Sequence, residues 1–140
     1  MLSRVEGLVA IIWAGVLWTV CGVVAPTLFA VLDDRALAGR LAGTFFEIGA
    51  WLGLAAGGLL ALAQIARRRC RPDRWLLAWI GAAALLPIGT EVLLGPLMNA
   101  ARSGATATSF AALHGMAAVA FALACVALLG VVLRLTRPAA

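Results

Sequence analysis

The sequence is poor in the side chains that catalytic and redox centres most often use. Its 140 residues include no lysine or tyrosine, one histidine, three cysteines and six acidic residues. A single histidine excludes a haem held by two histidines of one chain, and leaves histidine–methionine ligation or a haem between two chains. The cysteines form no CxxC pair and indicate no disulfide framework. Since no nucleophile–base pair or phosphate-binding loop is recognisable, the sequence argues against an enzyme.

Four long apolar stretches make up most of the chain, and the charged residues lie mainly between them. Apolar residues account for 64% of the sequence. Each stretch has about 20 residues or more, the length that a helix needs to cross a bilayer, where only helices or closed barrels satisfy the backbone. We therefore predict an all-α, integral membrane four-helix bundle with the lipid bilayer as its environment. It forms a single domain over residues 1–140, with helices at about 7–32, 38–66, 75–94 and 109–135.

Proline marks two interruptions within these helices. Pro26 removes one backbone hydrogen bond from helix one and is expected to bend or loosen the outer end of that helix. Pro87 lies inside helix three, and the polar stretch 99–108 is expected to be the longest loop. No internal repeat stands out in the sequence.

The arginines are unevenly divided between the two ends of the predicted bundle. Three, Arg35, Arg40 and Arg102, lie at one end, and the other eight of the 11 basic residues lie with the chain termini. The positive-inside rule then predicts cytoplasmic N and C termini, and the Ala-, Gly- and Arg-rich composition indicates a bacterial inner (plasma) membrane. Five arginines form a basic loop between helices two and three: Arg67, Arg68, Arg69, Arg71 and Arg74. This loop is a candidate contact for anionic lipid and is too short to read nucleic acid.

Helix two carries glycines at a strict four-residue spacing, Gly49, Gly53 and Gly57, preceded by Gly39 and Gly43. Small residues at this spacing line one face of a helix and let a second helix approach closely, which favours association in lipid. The ridge predicts helix packing. The partner is either another helix of the same bundle or, in a homodimer or larger homo-oligomer, a second copy of the chain.

Three ionisable side chains fall inside the predicted spans: Glu47, Glu91 and His114. Each lies a similar distance from the outer end of its helix, and Thr44 and Thr90 lie near the same level. Intramembrane ionisable groups are costly and normally find partners. The trio predicts a ligand, ion or proton site in the outer part of the bundle, and a histidine with two carboxylates is a possible divalent metal site. The alternative is a Glu–His hydrogen bond that only fixes helix register.

Three functions remain open on these observations. The first is a small transporter, channel, or metal- or small-ligand-handling protein that uses the polar trio. The second is a non-catalytic structural or accessory membrane protein whose basic loop docks a partner or lipid. The third is a haem-binding membrane redox protein.

Two sequence blocks resemble a known family. The first runs Ala25-Pro26-Thr27-Leu28-Phe29 and continues through Gly39 to Gly43, with Trp13 and Gly15 upstream; the second is Phe110-x-x-Leu113-His114-Gly115. Together they resemble the bacterial transmembrane-protein-205-like family, also described as domain of unknown function 4149. The resemblance implies a four-helix inner-membrane protein of undefined activity. Met116, Ala117 and Phe121 stand where that family often has polar residues, so a polar path along helix four is not implied.

Overall fold

The computed structural model describes residues 2–67, 73–105 and 107–136, which are helical apart from short connections and include no strand. The first half contains α1 (Leu2–Thr19), a π-helical segment (Val20–Val24), α2 (Ala25–Val31) and α3 (Arg35–Arg67). The second half contains α4 (Arg74–Gly89), a second π-helical segment (Thr90–Leu94), α5 (Gly95–Arg102) and α6 (Phe110–Thr136). The loop arginines Arg68, Arg69 and Arg71 lie outside the described residues, as do Cys70 and Arg137.

Four continuous helical runs are long and apolar enough to cross a membrane, which confirms the predicted fold class. We call them spans 1 to 4: Arg4–Val31, Arg35–Ala66, Arg74–Arg102 and Phe110–Thr136. Span 3 extends beyond the predicted end at residue 94 and takes in part of the expected loop. Pro96 lies in the first turn of α5, directly after the second π segment, and the helical run continues past it.

The spans form a ring in which each packs against the next and span 4 packs against span 1. Across the ring, Phe46 of span 2 meets Phe121 of span 4 edge to face, with ring centroids 4.8 Å apart. The side chains that are almost completely buried point into the centre of this ring and include Leu17, Leu60, Ile80, Leu128 and Val131. The outward faces carry exposed Leu, Ile, Val and Trp side chains, which suits a surrounding solvent of lipid.

The two halves of the chain repeat one another, a feature not evident in the sequence. The π segments Val20–Val24 and Thr90–Leu94 are 70 positions apart, and so are Pro26 and Pro96. Buried positions follow the same shift: residues 10, 13, 17 and 20 are buried in span 1, and residues 80, 83, 87 and 90 in span 3. Spans 2 and 4 match in the same way with a shift of one further position. Each half is therefore one helical hairpin, and both hairpins point in the same direction.

Span 2 approaches its neighbours most closely at two glycines. A Cβ built at Gly53 would lie 2.8 Å from Trp13 Nε1, and one at Gly57 would lie 2.7 Å from Ala84 Cβ. Gly49 is buried but has open space at its Cβ position, as has the exposed Gly43, while a Cβ at Gly39 would lie 3.8 Å from Phe29 Cζ. The close contacts of the glycine ridge are thus intramolecular, with span 1 and span 3.

One ion pair ties span 4 to the start of span 3. Asp73 caps α4 by accepting hydrogen bonds from the Trp75 and Leu76 amides, each at 3.1 Å, and it accepts from Arg134 Nη1 at 2.6 Å. The hydrogen bond from the Leu76 amide has the largest effect and lowers the pKa of Asp73. Desolvation raises the pKa, and the Arg134 guanidinium lowers it, so that the net shift is downward. The ionised carboxylate is therefore the form that the folded protein stabilises.

Gly57→Ala should destabilise the bundle, because the added methyl group meets a Cβ on span 3 and only a shift of the helices can relieve the contact. Overpacking of this kind costs about 1–3 kcal/mol. The matched control is Gly58→Ala, since Gly58 is exposed with nothing within 4 Å of its Cβ position. We expect unfolding in detergent–SDS mixtures to occur at lower SDS for Gly57→Ala and at unchanged or higher SDS for Gly58→Ala. Equal stability of the two variants would contradict the packing.

Asp73→Ala should lower the free energy of unfolding at neutral pH by about 1 kcal/mol, the usual effect of losing an N-cap. The folded pKa lies below the unfolded value of about 3.9, so this stabilisation is present above pH 4 and is lost as pH falls through the folded pKa. The difference between wild type and variant should shrink accordingly in thermal unfolding at stepped pH. Asp73→Asn, which keeps the capping oxygen and loses the charge, should be intermediate. A difference that does not change with pH would refute this assignment.

Candidate functional site

Each half of the chain interrupts its first span with a π segment followed directly by an x-Pro pair. The Ala25 and Gly95 amides donate five residues back, to the Val20 and Thr90 carbonyls. The next amide along would come from residue 26 or 96, and proline has none to give. At least one backbone carbonyl at residues 21–22, and one at 91–92, therefore loses its helical donor. In hydrocarbon such a group attracts other donors or cations.

Glu91 lies in the second π segment, and its carboxylate interacts electrostatically with that of Glu47 on span 2. Glu91 is half-buried, whereas Glu47 is exposed on the outside of the ring. Thr90, next to Glu91, is buried and donates its hydroxyl to the Pro87 carbonyl at 2.7 Å. Thr44 is exposed and donates to the Arg40 carbonyl at 3.2 Å. The two carboxylates therefore lie on neighbouring spans, one of them within the segment whose helical hydrogen bonding is interrupted.

The three predicted site residues lie at different distances from the middle of their spans. Span 3, which carries Glu91, runs eight residues past its predicted end at residue 94. Glu47 and Glu91 are each three to four residues from the middle of their spans, which is about 5 Å at the rise of an α-helix. His114 lies near the start of span 4, about 13 Å from the middle. Along the helices, the two carboxylates are therefore near the middle of their spans, and the imidazole is near the end of its span.

His114 takes part in an aromatic stack at the end of the bundle opposite the chain termini. Its exposed ring stacks on Phe110 with centroids 5.8 Å apart and planes inclined by 13°. The Arg102 guanidinium lies over the same Phe110 ring, 4.7 Å from the centroid. This stack joins the end of span 3 to the start of span 4 across the connecting loop.

The predicted metal site is not assembled. Over residues 2–67, 73–105 and 107–136, no three His, Cys, Asp or Glu side chains are grouped so that they could hold a metal ion. Two carboxylates without a third ligand do not meet the usual requirement of zinc for three or four protein ligands. The carboxylate pair is therefore not a zinc site.

Two side-chain pairs were not foreseen from the sequence. Gln64 Nε2 donates to Glu6 Oε2 at 2.9 Å near the start of span 1, and both side chains are buried. The thiols of Cys21 on span 1 and Cys125 on span 4 are close enough to interact. The positions of these residues on neighbouring antiparallel helices could have indicated both pairs, had the register been known.

Residues 8–107 match the model of the family described as domain of unknown function, DUF4149. The chain belongs to the DUF4149 family. The match carries that description and not the transmembrane-protein-205 name. Neither a search of curated proteins nor a search of solved structures finds a match to this DUF4149 chain.

The matched range contains some of the motif residues and not others. Inside it, Trp13 is buried against the span 2 glycines, and Gly15 is exposed with open space around it. Pro26 follows the first π segment, and the ring of Phe29 faces Gly39. The match ends before His114 and Gly115. In this DUF4149 chain the motif residues with a visible structural effect are therefore those that pack spans 1 and 2.

The Arg102–Phe110 contact should contribute to the stability of the DUF4149 bundle by about 0.5–1 kcal/mol, as exposed cation–π pairs do. Arg102→Gln and Phe110→Leu are each expected to lower the unfolding midpoint. In the double variant the losses should not add, since both changes remove the same contact. Additive losses in this double-mutant cycle would show that the two residues act separately.

Proposed function

We propose that this small multi-pass membrane protein binds a proton between Glu47 and Glu91 and uses that site to move protons, or a solute coupled to protons, across the membrane. The electrostatic interaction of two carboxylates from different spans, close to the middle of those spans, carries the proposal. A charged acidic side chain at that depth costs about 2.5–3.5 kcal/mol on insertion scales. One proton held by the pair removes one of the two charges and ends their mutual repulsion.

The surroundings of Glu91 support a proton as the guest. The π segment and Pro96 leave a carbonyl without its helical N–H, and the Thr90 hydroxyl is directed to Pro87 rather than to the carboxylates. Acceptors thus accumulate around Glu91, and a proton supplies the donor that they lack. Glu47 is exposed on the outside of the ring, and Glu91 is half-buried. The pair therefore connects the surface of the bundle with its interior.

The proposal includes a location and an orientation. Eight of the 11 arginines belong to the end of the bundle that carries both termini. Because cytoplasmic ends of membrane proteins are rich in arginine and lysine, we place both termini in the cytoplasm of a bacterium and the protein in its inner membrane. The basic loop would then face the anionic lipids of the cytoplasmic leaflet, each arginine adding about 1 kcal/mol of attraction.

Infrared spectroscopy and flux measurements on proteoliposomes test the site. The wild type should show the C=O stretch of a protonated carboxyl group at neutral pH, and the variant Glu47→Gln/Glu91→Gln should lose it. Entry of protons driven by a membrane potential, followed with an enclosed pH-sensitive dye, should be faster in wild type than in Glu47→Gln or Glu91→Gln. Asp33→Asn is the control, because Asp33 is an exposed carboxylate in the connection between spans 1 and 2.

Each measurement has an outcome that contradicts the proposal. A wild-type spectrum with no protonated carboxyl assignable to Glu47 or Glu91 removes the proton site. An assignable band combined with equal flux in all variants removes transport and leaves a protonated structural pair.

A further inference from the structure

Cys21 and Cys125 bring two thiols together from opposite ends of the sequence. Cys21 lies in the first π segment and Cys125 in α6, both are free thiols, and the two thiols are close enough to interact. Both are half-buried and pack against the same hydrophobic cluster at the centre of the ring. This pair plays no part in the function proposed above.

The register of spans 1 and 4 accounts for the contact independently. Gly7 on span 1 lies opposite Leu135 and Thr136 on span 4. A Cβ built at Gly7 would lie 3.9 Å from the carbonyl oxygen of Leu135. Because spans 1 and 4 are antiparallel, the residue opposite Cys21 lies as far before Leu135 in the sequence as Cys21 lies after Gly7. That residue is about one helical turn from Cys125. Helical side chains lean toward the N terminus of their own helix. In antiparallel neighbours these two side chains therefore lean toward each other and close that gap.

The depth of the pair decides which molecules can react with it. Both cysteines lie within about 5 Å of the middle of their spans, far inside a hydrocarbon core of about 30 Å. Water-soluble oxidants and thiol reagents such as glutathione do not enter that region. A lipid-soluble oxidant does, and the half-buried side chains leave it a route from the lipid side.

We propose that Cys21 and Cys125 form a dithiol/disulfide couple that exchanges electrons with a membrane quinone. In the oxidising direction two S–H bonds break and one S–S bond forms. The two electrons and two protons released reduce one quinone to its quinol. The disulfide links span 1 covalently to span 4, the contact that closes the four-span ring.

The test uses the full chain carrying Cys70→Ser, so that Cys21 and Cys125 are its only thiols. Proteoliposomes of this protein are incubated with a short-chain ubiquinone or, in parallel, with oxidised glutathione, then denatured and alkylated for mass spectrometry. Quinone should reduce the number of alkylated thiols from two per chain to none and yield one quinol per chain, whereas glutathione disulfide should leave both thiols alkylated. Peptide mapping should locate the new disulfide between Cys21 and Cys125 of one chain.

Single-cysteine variants control for the partner. Cys21→Ser and Cys125→Ser, each with Cys70→Ser, should keep one alkylated thiol and form no quinol. The proposal would be overturned if both thiols could still be alkylated after quinone treatment. Faster oxidation by glutathione disulfide, or quinol formation by either single-cysteine variant, would overturn it as well, since the thiols would then be water-accessible or would react without each other.

Discussion

The requirement that every backbone amide and carbonyl find a partner where water is absent governs this molecule. Four helices meet it along nearly their whole length, and the ring that they form leaves apolar side chains to face lipid. The two departures occur at equivalent places, where a π segment runs into Pro26 or Pro96. A carbonyl there has lost its donor, so these are the points in the described helices at which the backbone itself is able to take part in chemistry.

Packing holds those two points at fixed positions. The hydrophobic effect does not drive helices together inside a bilayer, so contact depends on how closely two backbones approach. Gly53 admits the Trp13 indole and Gly57 admits Ala84, and these contacts hold span 2 between spans 1 and 3. Span 2 is also the helix that carries Glu47. The glycines therefore help to set the separation between that carboxylate and Glu91, a distance on which any proton shared by the two depends.

The sequence was sufficient to predict the four spans, because the length of an apolar run reports bilayer thickness directly. It was less informative about where spans end. Pro96 lies in the first turn of α5, and polar residues through Arg102 remain helical. Because of that extension, Glu91 lies nearer the middle of its span than the predicted bounds placed it, whereas His114 stays near the start of its own span. The contact of Cys21 with Cys125 was not predictable, since it depends on the register of two helices distant in the chain. Similarly, the repeat is expressed in burial and backbone geometry, with few identical residues.

The repeat places a thiol and a carboxylate at equivalent positions in the two halves of the chain. The 70-residue shift that superimposes the π segments carries Cys21 onto Glu91, the second residue of each. The same backbone irregularity therefore occurs twice with different side chains, an acid in one half and a thiol in the other. The fold therefore contains two equivalent π segments, and a single substitution at the second residue of either one changes its chemistry without altering the fold around it.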